Sequence, residues 1–175
     1  MGYRCIITGE DASGASRCDR DSEVEESAGW MYHFWRASSN PSLTAPLAYP
    51  GELPESLEPS PGGSVFRFFH ILPDDTLQRE ELEALVLQTR DRIGAVDMAP
   101  SEDGRLWHRT ATLDYVVILQ GTPELLLEQE TISLKPFDVV IQRGTYHAWS
   151  NPGPEMAIAA CVLLSAEQTE PAESA

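Results

Sequence analysis

The run Leu106-Trp-His-Arg-Thr-Ala-Thr-Leu-Asp114-Tyr-Val-Val-Ile-Leu-Gln120, closed by the turn Gly121-Thr-Pro123, decides the reading of this chain. It holds two strand-like segments, Leu106–Thr112 and Asp114–Gln120, rich in the β-branched and aromatic residues that suit a pleated sheet. Five more runs follow: Glu124–Glu128, Thr131–Leu134, Asp138–Gln142, Tyr146–Ser150 and Met156–Leu164. Turn residues separate several of them, at Lys135-Pro136, Arg143-Gly144 and Asn151-Pro-Gly-Pro154. Short strands at even spacing with such punctuation predict an all-β sandwich or barrel. The segment Tyr115-Val-Val-Ile-Leu119 is apolar at both parities. One of its faces is expected to line a barrel, the other to pack on an N-terminal arm or a second subunit.

Upstream, Ser64–Pro73 reads as one more strand. The spacing of Leu82, Leu85, Val86 and Ile93 predicts a single amphipathic helix over 77–93, with N-cap oxygens from Asp74, Asp75 or Thr76 and Gly94 past its end. Residues 38–63 carry six of the 13 prolines and read as an extended crossing segment, since proline supplies no ladder donor. Residues 1–37 form short apolar runs around an acidic stretch and are expected to be a strand arm. The 64–165 region is then the barrel, and the small, acidic 166–175 is expected to be a disordered tail.

Composition bounds the partners. Lysine and arginine number 12 against 28 acidic residues, a formal net charge of −16. That balance argues against nucleic acid, whose affinity rests on cationic phosphate contacts, and against an anionic membrane surface. The N-terminal Met1–Thr8 stretch lacks a signal-peptide pattern, so a cytoplasmic location is expected. The three cysteines, Cys5, Cys18 and Cys161, lie far apart with no Cys-x-x-Cys, which reads as reduced thiols unless pairing strands bring Cys5 to Cys18.

Four histidines are available for chemistry. Strand alternation puts His108, Thr110, Thr112 and Asp114 on one face. His147 follows a glycine turn in Gly144-Thr-Tyr-His-Ala-Trp-Ser-Asn151. Two neighbouring strands could aim His108, Asp114 and His147 at one interior point. Two imidazoles and one carboxylate with open positions form the facial set of non-haem iron(II), also tolerated by zinc, manganese or nickel. The alternative is core histidines and a buried carboxylate bonded to Thr110, Thr112 or Arg109. Trp149 and His70 are candidates to wall a pocket, with simple packing as the alternative for each; Tyr146 and Tyr115 have the outward parity.

On these residues the chain resembles the cupins. Their first motif is matched by His108-x-Thr110-x-x-x-Asp114 with Gly121 beyond and Gly104 before. Their second is matched by Gly144-x-x-His147-x-x-x-Asn151, with Phe137-Asp138 where Gly-Asp is usual. The Gln142–Trp149 stretch narrows the resemblance to single-domain cupins, a group that includes oxidoreductases of fungal polyketide pathways. The resemblance implies a small antiparallel barrel of jelly-roll type, pairing into homodimers, with a divalent metal in its mouth. The chain departs from the pattern in having Thr110 where a second histidine stands and Asp114 where a glutamate stands. A metal-dependent oxygenase or dioxygenase acting on an aromatic or polyketide-like small molecule is the first expectation. A non-catalytic barrel binding a small molecule is the second, and an accessory subunit the third.

Overall fold

The computed structural model describes residues 2–27, 30–43, 56–78, 80–81, 83–85, 87, 90, 99–100 and 105–167. Twelve strands run in chain order. The first four are β1 (Tyr3–Glu10), β2 (Ser16–Val24), β3 (Met31–Ala37) and β4 (Ser64–Ile71). After β5 (Ala99–Pro100) and β6 (Leu106–Trp107) comes β7 (Thr112–Gln120). The series ends with β8 (Glu124–Leu127), β9 (Thr131–Ser133), β10 (Val139–Gln142), β11 (His147–Ser150) and β12 (Ala157–Ser165).

A five-stranded sheet, ordered β10-β7-β12-β4-β3, is antiparallel throughout. A three-stranded sheet, β11-β8-β9, lies across from it. One apolar core joins the two: Val116, Ile118, Ala159, Cys161 and Leu163 from the large sheet meet Leu125 and Trp149 from the small one. The fold is therefore mainly β, a jelly-roll type of sandwich. Period-two alternation does the sorting. On β7, Thr112, Asp114, Val116 and Ile118 are buried between the sheets, while Tyr115 and Leu119 are exposed on the outer face.

The N-terminal segment divides. β1 and β2 pair only with each other, as a hairpin. β3 instead is the edge strand of the large sheet, so the strands of residues 1–37 do not form one arm. The hairpin packs Tyr3 and Cys5 onto Val24, Tyr32, Phe34 and Phe68. Cys5 stands opposite Ser22 and Cys18 opposite Thr8, so strand pairing does not bring the two thiols together. All three cysteines are free.

The run Leu106–Thr112 is not one strand. It stops at Trp107, and the chain turns before re-entering β7 at Thr112. There the Ala111 N–H donates to the carboxylate of Glu58, distant in sequence, at 3.0 Å rather than to a neighbouring strand. The helical residues described lie between Glu80 and Arg90. The helix begins later than the cap reading placed it. Glu81 Oε2 accepts from the Gln78 N–H at 2.9 Å, a reach-back contact of the capping-box kind. Asp74 is engaged elsewhere, accepting from Ser150 Oγ at 2.6 Å, Asn151 N at 2.8 Å and Arg105 Nη2 at 3.1 Å. Gly94, most of the polar loop before Arg105, residues 44–55 of the crossing segment and 168–175 of the tail lie outside the described residues.

Candidate functional site

The His108 and His147 backbones bond to each other in both directions, at 2.9 and 3.0 Å, as an isolated antiparallel bridge. Directly paired residues present their side chains on one face. The rings accordingly lie 4.4 Å apart between centroids. Gly144 makes the approach: its φ is 63°, and a Cβ there would sit 3.0 Å from the Thr110 carbonyl oxygen.

The hydrogen bonds fix how the rings are used. His108 Nδ1 lies 3.1 Å from the Leu106 carbonyl and His147 Nδ1 lies 2.9 Å from the Thr145 carbonyl. A carbonyl only accepts, so the His108 Nδ1 carries the proton and its Nε2 keeps a free lone pair; the His147 Nδ1 meets both the Thr145 carbonyl, which accepts, and the Gln142 amide nitrogen at 2.7 Å, which donates, and these two contacts call for opposite tautomers. Burial, then the neighbouring His108 ring, pushes the His147 pKa down to about 3. Burial also lowers that of His108. Both imidazoles are neutral at neutral pH, which is the state a metal ligand or a general base requires.

Asp114 is buried on β7, opposite Gln142 of β10. Gln142 stands on the way to the histidines, its amide 2.7 Å from His147 Nδ1. Burial raises the Asp114 pKa to about 6, against the opposing hydrogen bond from Thr112. Its Oδ1 has no hydrogen-bond partner. The structure thus brings His108 and His147 together, while among the described residues no three His, Cys, Asp or Glu side chains form a group that could hold a metal ion. Two neutral imidazoles and a buried carboxylate oxygen lacking a donor suit a divalent cation in donor type.

Thr110 and Thr112 are buried, with their hydroxyls 2.6 Å apart. Trp149 stands edge-on to His147, with centroids 6.3 Å apart, and packs on Phe69 at 5.5 Å. His70 is a correction: it does not line the interior. On β4 the inward parity belongs to Val65, Arg67 and Phe69, and His70 lies on the outer face under the hairpin. There its Nε2 is 2.8 Å from the Tyr3 hydroxyl. Tyr146 stacks on Trp107 with centroids 5.3 Å apart.

Sequence reasoning passed over two interior residues. Gln142 was read only as part of a motif, and Arg67 only as part of a strand. The signal for Arg67 was present, as one cation inside Val-Phe-Arg-Phe-Phe with parity opposite to Phe66 and Phe68. The guanidinium of Arg67 donates to the Leu57 carbonyl, and that of Arg36 to the Ser56 and Glu58 carbonyls. Residues 56–58 of the crossing segment are thereby strapped to the β3–β4 side of the sheet.

No family model matches the chain. Among curated proteins, it is 42% identical over 64 residues to oryzines biosynthesis cluster protein J of Aspergillus oryzae, a match covering 35% of this chain and 36% of that protein. It is 37% identical over 57 residues to the cupin-domain-containing oxidoreductase fogC of Aspergillus ruber, covering 32% of this chain and 28% of that one. These matches span about a third of the length of the curated relatives. A solved cupin 2 conserved barrel domain protein from Salinispora arenicola aligns over 81% of this chain and 80% of its own, at 12% identity and a TM-score of 0.40. The chain is thus similar to cupin-domain proteins, the class to which its two motifs point, and relatives named as cupin oxidoreductases share it.

Proposed function

We propose that the protein is a metal-dependent cupin-type oxidoreductase, of oxygenase or dioxygenase type, acting on an aromatic or polyketide-like small molecule. The observation that carries this reading is the His108–His147 pair, two neutral imidazoles whose rings lie 4.4 Å apart, with the His108 Nδ1 proton committed to the Leu106 carbonyl. These two imidazoles would hold the metal, with Asp114 as a third ligand or as a hydrogen-bonding neighbour. A bound iron(II), or by the same donor set zinc, manganese or nickel, would supply Lewis acidity or redox chemistry. The chain's own contribution is positional. The Thr145 carbonyl lies 2.9 Å from His147 Nδ1, Gln142 Nε2 donates to Thr145 beside it, and Trp149 walls the interior next to the ring. The relatives named as oxidoreductases support the reaction class.

The test is metal per folded chain. His108→Ala and His147→Ala are each expected to lower occupancy by about tenfold or more, with His33→Ala and His70→Ala near wild type. Full loading in both histidine variants, or no uptake of iron, manganese, zinc or nickel by the wild type, overturns the reading. A second reading, a non-catalytic barrel that binds its ligand without metal, is favoured by one observation. Thr110 takes the place of a histidine and is satisfied by Thr112.

We also propose that the chain pairs as a homodimer through the outer face of the large sheet. Phe66, Tyr115, Leu119, Val139 and Ile141 all stand exposed there. An apolar patch of this extent is unusual on a monomer. Light scattering that gives 19.3 kDa at micromolar concentration overturns this.

A further inference from the structure

Arg67 is 2% exposed and sits on the inward face of β4, with Cys161 beside it on β12 and His33 beside it on β3. Burial lowers its pKa to about 10, so it remains a cation at neutral pH. Among the described residues, two hydrogen bonds engage the guanidinium: one to the Leu57 carbonyl and one, at 3.3 Å, to the weak acceptor Met31 Sδ. Its Nε has no partner. No carboxylate among the described residues pairs with it; Asp114 acts on it only through space. A second cation, Arg36, disfavours its charge further. Removing a charge from water costs several kcal/mol unless a counter-charge and hydrogen bonds replace the solvent. The strap to the Leu57 carbonyl uses one N–H of the guanidinium and leaves the Nε side unexplained.

We infer that the barrel interior binds a small carboxylic acid, whose carboxylate docks on the unpaired Nε edge of Arg67. The guanidinium is planar and matches two carboxylate oxygens with two parallel N–H groups, so it selects a planar oxyanion over a neutral amide. The remainder of the ligand would extend along the shared inner face toward Asp114 and the His108–His147 pair. This rests on the reading that the interior is the ligand site, but not on any metal being there. Arg67 is thus a specificity-determining residue for an acidic substrate.

The experiment is calorimetric titration of the full chain, stripped of metal with chelator, using benzoate and succinate as probes. Benzamide and succinamide serve as neutral isosteres, and inorganic phosphate as a non-planar anion. At least one carboxylate is expected to bind, its amide and phosphate about tenfold more weakly or worse. Arg67→Met is expected to abolish that binding; because it also removes the bond to the Leu57 carbonyl, a thermal melt confirms that the variant is folded before titration. Arg67→Lys keeps charge but loses the planar fork, and is expected to weaken binding by about tenfold or more. It carries the test should Arg67→Met not fold. Absence of carboxylate binding, equal binding of amide or phosphate, or undiminished binding in a folded Arg67 variant overturns the inference. Metal content of the histidine variants, measured separately, shows whether the metal reading stands or falls on its own.

Discussion

Each face of the five-stranded sheet departs from the usual arrangement. The inner face, shielded from water, carries Arg67, Asp114, Thr112 and Gln142 among its apolar residues. The outer face, partly open to water, carries Phe66, Tyr115, Leu119, Val139 and Ile141. Folding alone rewards the opposite placement, because burying polar groups costs and burying apolar ones gains. Each departure therefore points to something beyond the folded chain. Inside, the proposed occupant is a ligand that completes the polar groups; outside, the proposed cover is a second copy of the chain.

Adjacent residues on β7 give the strongest test of this contrast. Ile118→Ala, at a wholly buried site, is expected to cost about 3 kcal/mol, and Leu119→Ala, 37% exposed, about 1 kcal/mol or less. Denaturant unfolding of both variants checks this, and equal losses would break the contrast between faces. Asp114→Asn sharpens the inner side. The folded pKa of Asp114, about 6, lies above its ordinary 3.8. Its stabilising contribution is therefore fully present below pH 3.8 and is lost as pH rises through 6. In chelator-treated protein the asparagine variant should gain on wild type by about 1–2 kcal/mol between pH 4 and pH 7. Melts across that window that run parallel would show the carboxyl to be unperturbed.

On the outer side, Ile141→Asp places a charge in the proposed pairing face. Sedimentation equilibrium is expected to show dimer dissociation strengthened about tenfold or more, as when an interface side chain worth over 1 kcal/mol is lost. Under the hairpin, Tyr3→Phe removes the hydroxyl that meets His70 and is expected to cost about 1 kcal/mol, seen as faster amide exchange in β1 and β2. Burial lowers the His70 pKa, so its contribution holds above pH 6.5 and is lost as pH falls. The smallest effect is at Phe137, whose φ of 73° lies in the left-handed region. Phe137→Gly should relieve about 1–2 kcal/mol of strain and return part of it as glycine entropy, a net gain of about 0.5–1 kcal/mol in melting experiments.

Much of the sheet was legible because period-two alternation depends on local sequence. Strand alternation over 108–114 predicts one face for His108, Thr110, Thr112 and Asp114; residues 109–111 leave the strand, and Thr110, Thr112 and Asp114 are buried. The approach of His108 to His147 followed from motif spacing. What could not be read were contacts made across long separations. Glu58 draws the Ala111 N–H away from any strand, and Ser150 with Asn151 recruits Asp74, 76 and 77 residues earlier in the chain, from its capping role. His70 has the parity of Phe66 and Phe68, but parity alone does not say which face is the interior. Arg67 lay in plain view on the other parity, and only its position between β3 and β12 reveals its isolation.

β12 has a consequence for how the chain reaches this structure. It is the middle strand of the large sheet, paired with β4 on one side and β7 on the other, yet it is the last strand in sequence. Until Ser165 has emerged from the ribosome, β4 and β7 have nothing between them, and the sheet exists only as two separate strand pairs. Closing it joins residues some ninety positions apart, such as Phe68 and Ala160, late and in a single event. Such non-local closure slows folding and leaves strand edges unpaired meanwhile. Arg67 and Asp114 stay hydrated through that interval, so the desolvation of both falls on the final step of assembly.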